Sequence, residues 1–181
     1  MDAEFEKRLP KPEDLKAMTC ESLAAAFAGE SQAAEKYLVF AEQAEDEGLP
    51  QIAKLFRAIS FAETRHARNH LRVMGGIGST ADNLKTAFDG ESFEIEEMYP
   101  AYREIAVTQE NAQAKRSIRF ALKAERDHKW MYEQARERAV AGEDIADESV
   151  SVCVICGHTV IGDVPDTCPV CAAAKAYYRT F

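Results

Sequence analysis

Residues 19–141 form an almost unbroken run of helix-favouring Ala, Glu, Lys, Arg and Leu, with apolar residues at three- and four-residue intervals. The interruptions fall at Gly48-Leu49-Pro50 and at Gly75-Gly76-Ile77-Gly78-Ser79-Thr80. This punctuation predicts helices over about 19–47, opened by Thr19 as N-cap, and over about 50–74. A long connection with a short helix near 81–88 follows, then helices over about 91–109 and 112–141. Two helical hairpins joined by a long crossover between helices two and three make an all-α four-helix bundle. Phe56–His66 aligns with Ile118–His128 at its Arg, Ala, Glu and His positions, as expected if one hairpin is a copy of the other.

Each helix has one stripe that should face the bundle axis, and each stripe is broken by a carboxylate. The first runs Leu23, Phe27, Glu30, Ala34, Tyr37, Ala41, and the second Ile52, Phe56, Ile59, Glu63, His66, His70, Val73. The third gives Glu94, Glu97, Ala101, Ile105, and the fourth Ile118, Ala121, Glu125, His128, Tyr132. A buried carboxylate without a partner costs several kcal/mol or takes up a proton. Five of them with two histidines in one bundle therefore call for cations. Glu63-x-x-His66 and Glu125-x-x-His128 each put a carboxylate and an imidazole on one helix face. With one Glu from each of the other two helices, Glu30 and Glu94, they reproduce the ligand set of di-iron carboxylate bundles. The bland alternative, a bundle with surface Glu, accounts for one such pair but poorly for two at matched points of a repeat. His70, one turn past His66, reads as a supporting histidine, and Cys20 as a small buried hydrophobe.

Four of the five cysteines sit in the last thirty residues, as Cys153-Val-Ile-Cys156 and Cys168-Pro-Val-Cys171. That spacing is a strong signal for one ion in four thiolates. The acidic stretch 139–148 reads as a linker, which divides the chain into a bundle over 1–145 and a small metal-knuckle domain with short strands over 146–181. Zinc would make the knuckle only structural, whereas iron would make it a one-electron centre.

Composition removes whole classes of function. A net charge of −9 argues against nucleic acid and anionic lipid as partners. No apolar run is long enough to span a membrane. The stretch 1–16, charged throughout, lacks the apolar core of a signal peptide. A cytoplasmic protein with reduced thiols is the expectation.

With these motifs in hand, the chain resembles the rubrerythrins. The resemblance is carried by Leu23-Ala-Ala-Ala-Phe-Ala-Gly-Glu-Ser-Gln32, by Gly90-Glu-Ser-Phe-Glu-Ile-Glu-Glu-Met-Tyr-Pro100 and by the two cysteine pairs, and it spans nearly the whole chain. It implies a ferritin-like bundle holding a non-haem di-iron centre, oxo-bridged when oxidised, and a rubredoxin-like tail with mononuclear iron in Cys153, Cys156, Cys168 and Cys171. The implied activity is reduction of hydrogen peroxide to water, with electrons from NAD(P)H arriving through a partner rubredoxin or reductase. The implied di-iron ligands are Glu30, Glu63, Glu94, Glu97, Glu125, His66 and His128. Glu63 and Glu125 would bridge, and Glu97 would exchange with His66 on reduction. A homodimer, in some members with exchanged helices, is also implied. Ala172 stands after the second knuckle, where free-standing rubredoxins carry Gly-rich sequence.

Glu97 would be a seventh ligand, and it has a use. With five carboxylates, a diferrous pair and an oxo-bridged diferric pair carry the same net charge, so each two-electron cycle is matched by two protons. Replacing Glu97 should then leave iron bound and slow peroxide turnover. Tyr37, two turns after Glu30, either donates to a ligand carboxylate or to peroxide, or packs in the core; Tyr99 and Tyr102 are further candidates. Pro100 lacks the amide that would bond the Glu96 carbonyl, so a kink is expected there. Two rival readings remain at this level. An iron-storing ferroxidase would need no fused reductant centre, and a zinc-bearing regulatory module would be colourless where ferric thiolate is red.

Overall fold

The computed structural model describes residues 15–181. The charged N-terminal stretch read above as free of a leader lies, but for its last two residues, outside them. The chain divides into two compact units, the first ending at Gly78 and the second spanning Ser79–Phe181.

The first unit is an antiparallel pair, α1 (Ala17–Asp46) and α2 (Pro50–Val73). Helix α1 begins two residues before Thr19, and its N-cap position is Lys16, which makes no side-chain capping bond. The hairpin turns at Gly48, whose φ of +75° suits glycine. There the Leu49 amide reaches back to the Ala44 carbonyl at 2.8 Å. Pro50 then opens α2, where a missing amide costs nothing. The seam is made of small residues at heptad-like spacing: Ala34, Ala41 and Ala44 against Ala53, Ser60 and Ala67 are all buried. Ser60 Oγ donates to the Ala34 carbonyl at 2.9 Å across it. The expected stripe is therefore shifted. Ile52 and Ile59 stay exposed, because the close approach falls on the Ala and Ser face.

In the second unit the expected short helix and third helix are one continuous run. It comprises α3 (Thr80–Phe93), a π-helical segment (Glu94–Met98) and α4 (Tyr99–Thr108). Ser79 caps it by accepting the Asp82 amide at 3.2 Å. The kink expected at Pro100 appears as the π segment just ahead of it, with the Tyr99 amide bonded five residues back to the Glu94 carbonyl. A widened turn is how a helix accommodates a proline that can neither donate nor tolerate the carbonyl beneath it. Asn111 caps α5 (Ala112–Val140) by accepting the Ala114 amide at 2.9 Å.

The cysteine segment belongs to this second unit. Strands β1 (Val150–Cys153), β2 (Thr159–Ile161) and β3 (Tyr178–Thr180) form an antiparallel sheet in the order β2-β1-β3. It docks on one stripe of α5. Phe120 packs against the cysteine core, the Gly157 Cα faces the Ala124 methyl, and Asp127 Oδ2 lies 3.7 Å from His158 Nε2. Among the described residues no helix is long and apolar enough to cross a membrane.

Candidate metal centres

Three groups of donor atoms lie together, with every donor within 4.8 Å of the others in its group: Glu30, Glu63 and His66 in the first unit, and in the second Glu91, Glu125 and His128, and Cys153, Cys156, Cys168 and Cys171. The first two groups share one local plan. In each, a carboxylate from the first helix of a hairpin meets a Glu-x-x-His face of the second. His66 Nδ1 is 2.9 Å from Glu63 Oε2, and His128 Nδ1 is 2.7 Å from Glu125 Oε2.

The electrostatics are those of donors waiting for positive charge. Two ionised carboxylates cannot share a hydrogen bond, so each pair keeps a proton or binds a cation. Hydrogen bonding to Glu63 and then burial raise the Glu30 carboxyl, while the same bond, with help from His66, lowers Glu63. Burial, then the bond to Glu125, pushes Glu91 up to about 7. Burial also pushes Glu125 upward, but its bonds to His128 and Glu91 prevail and leave it below the ordinary range. The bond to Glu125 raises His128, against the opposing effect of burial.

The sequence placed Glu94 as the counterpart of Glu30; the structure puts Glu91 there. Glu94 stands beside the group rather than within it. Burial raises its carboxyl first, and the nearby Glu125 charge adds to this. Glu97, expected as the seventh ligand, is exposed and belongs to none of the three groups. The reason is the π segment: it begins at Glu94 and changes the angle per residue, so counting α-helical turns onward to Glu97 loses the face. A signal for Glu91 does exist in the sequence. Leu23-x-x-Ala26-Phe27-x-Gly29-Glu30-Ser31 recurs as Leu84-x-x-Ala87-Phe88-x-Gly90-Glu91-Ser92, 61 residues on. The structure repeats it too, since Ser31 Oγ donates to the Phe27 carbonyl and Ser92 Oγ to the Phe88 carbonyl, each at 2.7 Å.

The aromatic candidates divide. Tyr37 stacks with Phe40 and Phe56 at ring separations of 6.2 and 6.1 Å, a packing role. Tyr102 is exposed. Tyr99 and Tyr132 border the second group, their hydroxyls raised by burial and by the Glu91, Glu94 and Glu125 charges for Tyr99, and by burial with Glu91 and Glu125 for Tyr132. His70 acts on Glu30 through its charge. Cys20 is half-buried and joins no donor group.

In the knuckle domain, Cys153 Sγ lies 3.7 Å from Cys171 Sγ, and Cys156 Sγ 3.6 Å from Cys168 Sγ. These are far from bonded disulfide sulfurs, but they match the edge of a tetrahedron with metal–sulfur bonds of about 2.3 Å. The two knuckles turn alike. Gly157 N bonds the Cys153 carbonyl and Ala172 N the Cys168 carbonyl, both at 2.9 Å, with φ of +79° at Gly157 and +64° at Ala172. Burial pushes the Cys168 thiol upward, but hydrogen bonds from Tyr178 and from backbone amides bring it down to about 6. The Tyr178 hydroxyl in turn lies 2.6 Å from Nδ1 of the buried His158. The donor sets fit two iron centres, a di-iron carboxylate site and a rubredoxin-like iron.

Comparison with known proteins agrees. A family model described as rubrerythrin matches residues 21–136, and one described as the rubredoxin-like domain of rubrerythrin matches 152–179. Rubrerythrin-2 of Clostridium acetobutylicum is 37% identical, over 91% of this chain and 97% of its own length. Rubrerythrin of Porphyromonas gingivalis is 32% identical over 85% of each. A solved structure of fully reduced, all-ferrous nigerythrin aligns with a TM-score of 0.54 at 30% identity, covering 90% of this chain and 86% of that one. The fold is thus the ferritin-like four-helix kind with a small C-terminal strand domain, and the chain belongs to the rubrerythrin family.

Proposed function

We propose that this protein is a peroxidase that reduces hydrogen peroxide to water at a di-iron centre, with electrons entering through the four-cysteine iron. The observation that carries the reading is the packing of the thiolate domain on the helix that holds Glu125 and His128, with His128 itself bonded to that domain. A storage ferroxidase has no use for a one-electron centre fixed against its ligand helix.

Glu30, Glu63 and His66 in the first unit and Glu91, Glu125 and His128 in the second would hold the iron. Iron held there would supply two-electron reducing chemistry toward peroxide. The chain's own part is charge and protons. Glu94, beside the second group, takes the role expected of Glu97 as fifth carboxylate, holding the net charge of the centre level as its oxidation state changes. His66, more than half exposed, would be the exchanging ligand that the resemblance implies. Electrons would come from NAD(P)H through a partner redox protein, in a cytoplasmic homodimer.

The test is stopped-flow mixing of the fully reduced, iron-loaded protein with H2O2 and separately with O2. Fast oxidation by peroxide and slow oxidation by O2 is the expected outcome; the reverse order would favour storage. A red ferric-thiolate spectrum separates iron from zinc in the knuckle.

A further inference from the structure

The two histidines of the Glu–Glu–His groups differ in one respect that the repeat does not explain. Among the described residues, His66 has no partner for its Nε2. His128 Nε2 lies 2.8 Å from Thr159 Oγ1. Thr159 Oγ1 in turn donates to the Gly157 carbonyl at 3.0 Å. A hydroxyl has one proton. With that proton on Gly157, Thr159 can only accept from His128, so the ring carries hydrogen on Nε2. In the neutral imidazole that a metal requires, Nδ1 is then the lone pair, and Nδ1 is the atom gathered with Glu91 and Glu125. Gly157 is bonded directly to Cys156. Hydrogen bonds and backbone thus form one continuous link from a thiolate ligand to a di-iron ligand within a single chain.

We infer that Thr159 is a positioning residue that fixes His128 with Nδ1 toward the metal and completes, through Gly157 and Cys156, the route by which electrons leave the thiolate iron. In each transfer the ferrous thiolate iron becomes ferric and one ferric ion of the dinuclear centre becomes ferrous. No bond breaks, and the Thr159 and His128 protons stay on their atoms. The donor is the thiolate iron that the established fold carries. The inference rests on the proposed function for its oxidant and for the direction of electron flow.

Thr159→Val keeps the shape of the side chain and removes the hydroxyl. The contacts of Phe120, Ala124 and Asp127 with the knuckle domain remain to hold it in place. In full-length, iron-loaded protein with both centres reduced and then mixed with H2O2, oxidation of the di-iron centre and return of the ferric-thiolate colour are followed separately. Relative to the first step, Thr159→Val should slow the second by about tenfold or more, and Thr159→Ser should restore it. In the zinc-loaded full chain, the His128 Nε2–H proton resonance should be slow to exchange in the wild type and in Thr159→Ser, and fast in Thr159→Val. Unchanged return of the thiolate colour in Thr159→Val overturns the inference, as does a protected Nε2–H in that variant. A wild-type di-iron centre inert to peroxide would instead overturn the peroxidase reading, and the zinc-loaded resonance would still decide the role of Thr159.

Discussion

Glu91, Glu94 and Glu97 lie at three-residue intervals on one helical run, yet they meet three different environments. Glu91 is gathered with Glu125 and His128, Glu94 is raised by burial and then by the Glu125 charge without joining them, and Glu97 is exposed. Their replacements should separate accordingly. Glu91→Ala should lose di-iron metal while keeping the thiolate iron, read by metal content and by the red chromophore. Glu94→Ala should retain both metals and lower the peroxidase rate by about ten- to a hundredfold, the usual cost of removing a group that supports a metal site. Glu97→Ala should match the wild type, and a slow Glu97→Ala would restore the assignment made from sequence periodicity. Eight of the donors were legible because Glu-x-x-His and Cys-x-x-Cys are local patterns that survive any uncertainty in helix boundaries. Glu30 was legible because its helix is regular. Glu91 was not, because periodicity was counted from a helix start placed eleven residues too late, in a run whose turn angle changes at Glu94.

Among the elements, the two cysteine knuckles use one turn with unequal residues. Each requires a left-handed residue after its second cysteine. The first has Gly157 there and the second Ala172. An L-residue in that conformation is strained by roughly 1–2 kcal/mol, offset in part by the smaller entropy that Ala loses on folding. Ala172→Gly should therefore stabilise the iron-loaded domain by about 1 kcal/mol or less, seen as a higher unfolding midpoint at unchanged iron content. The helices show the same division between legible and hidden. Gly48-Leu49-Pro50 marked the α1–α2 turn correctly because a Gly stop and a Pro start are local chemistry. The start of α1 moved away from Thr19 because Lys16 heads the helix without a side-chain cap. The merging of two expected helices into one run rests on Gly90 being tolerated inside a helix, which composition alone disfavours.

For the molecule as a whole, the carboxylate groups set how stability responds to pH when the di-iron metal is withheld. Glu91 rises from 4.5 to about 7 on folding. The folded chain therefore keeps a proton that the unfolded chain has lost, so this contribution is complete below pH 4.5 and disappears as pH climbs to about 7. His128 acts in the same sense at higher pH: raised above 6.5, it contributes fully below that value and is lost as pH passes its folded value. Glu125 is lowered, so it contributes above 4.5 and is lost only as pH falls further. Protein loaded at the thiolate site alone should thus lose stability from pH 5 toward 8, measured by denaturant midpoints, whereas di-iron loading should flatten that slope because metal replaces the protons.

The docking of the knuckle domain along Phe120, Ala124, Asp127 and His128 also bears on how electron delivery depends on concentration. On the proposed route, residues 141–149 tie the thiolate centre to the helix that carries His128, so each encounter between the two is intramolecular, at an effective concentration set by the tether rather than by the amount of protein. Delivery to the His128 side should then follow first-order kinetics at any dilution. Only the refilling of the thiolate iron by its outside donor should depend on how much donor is present.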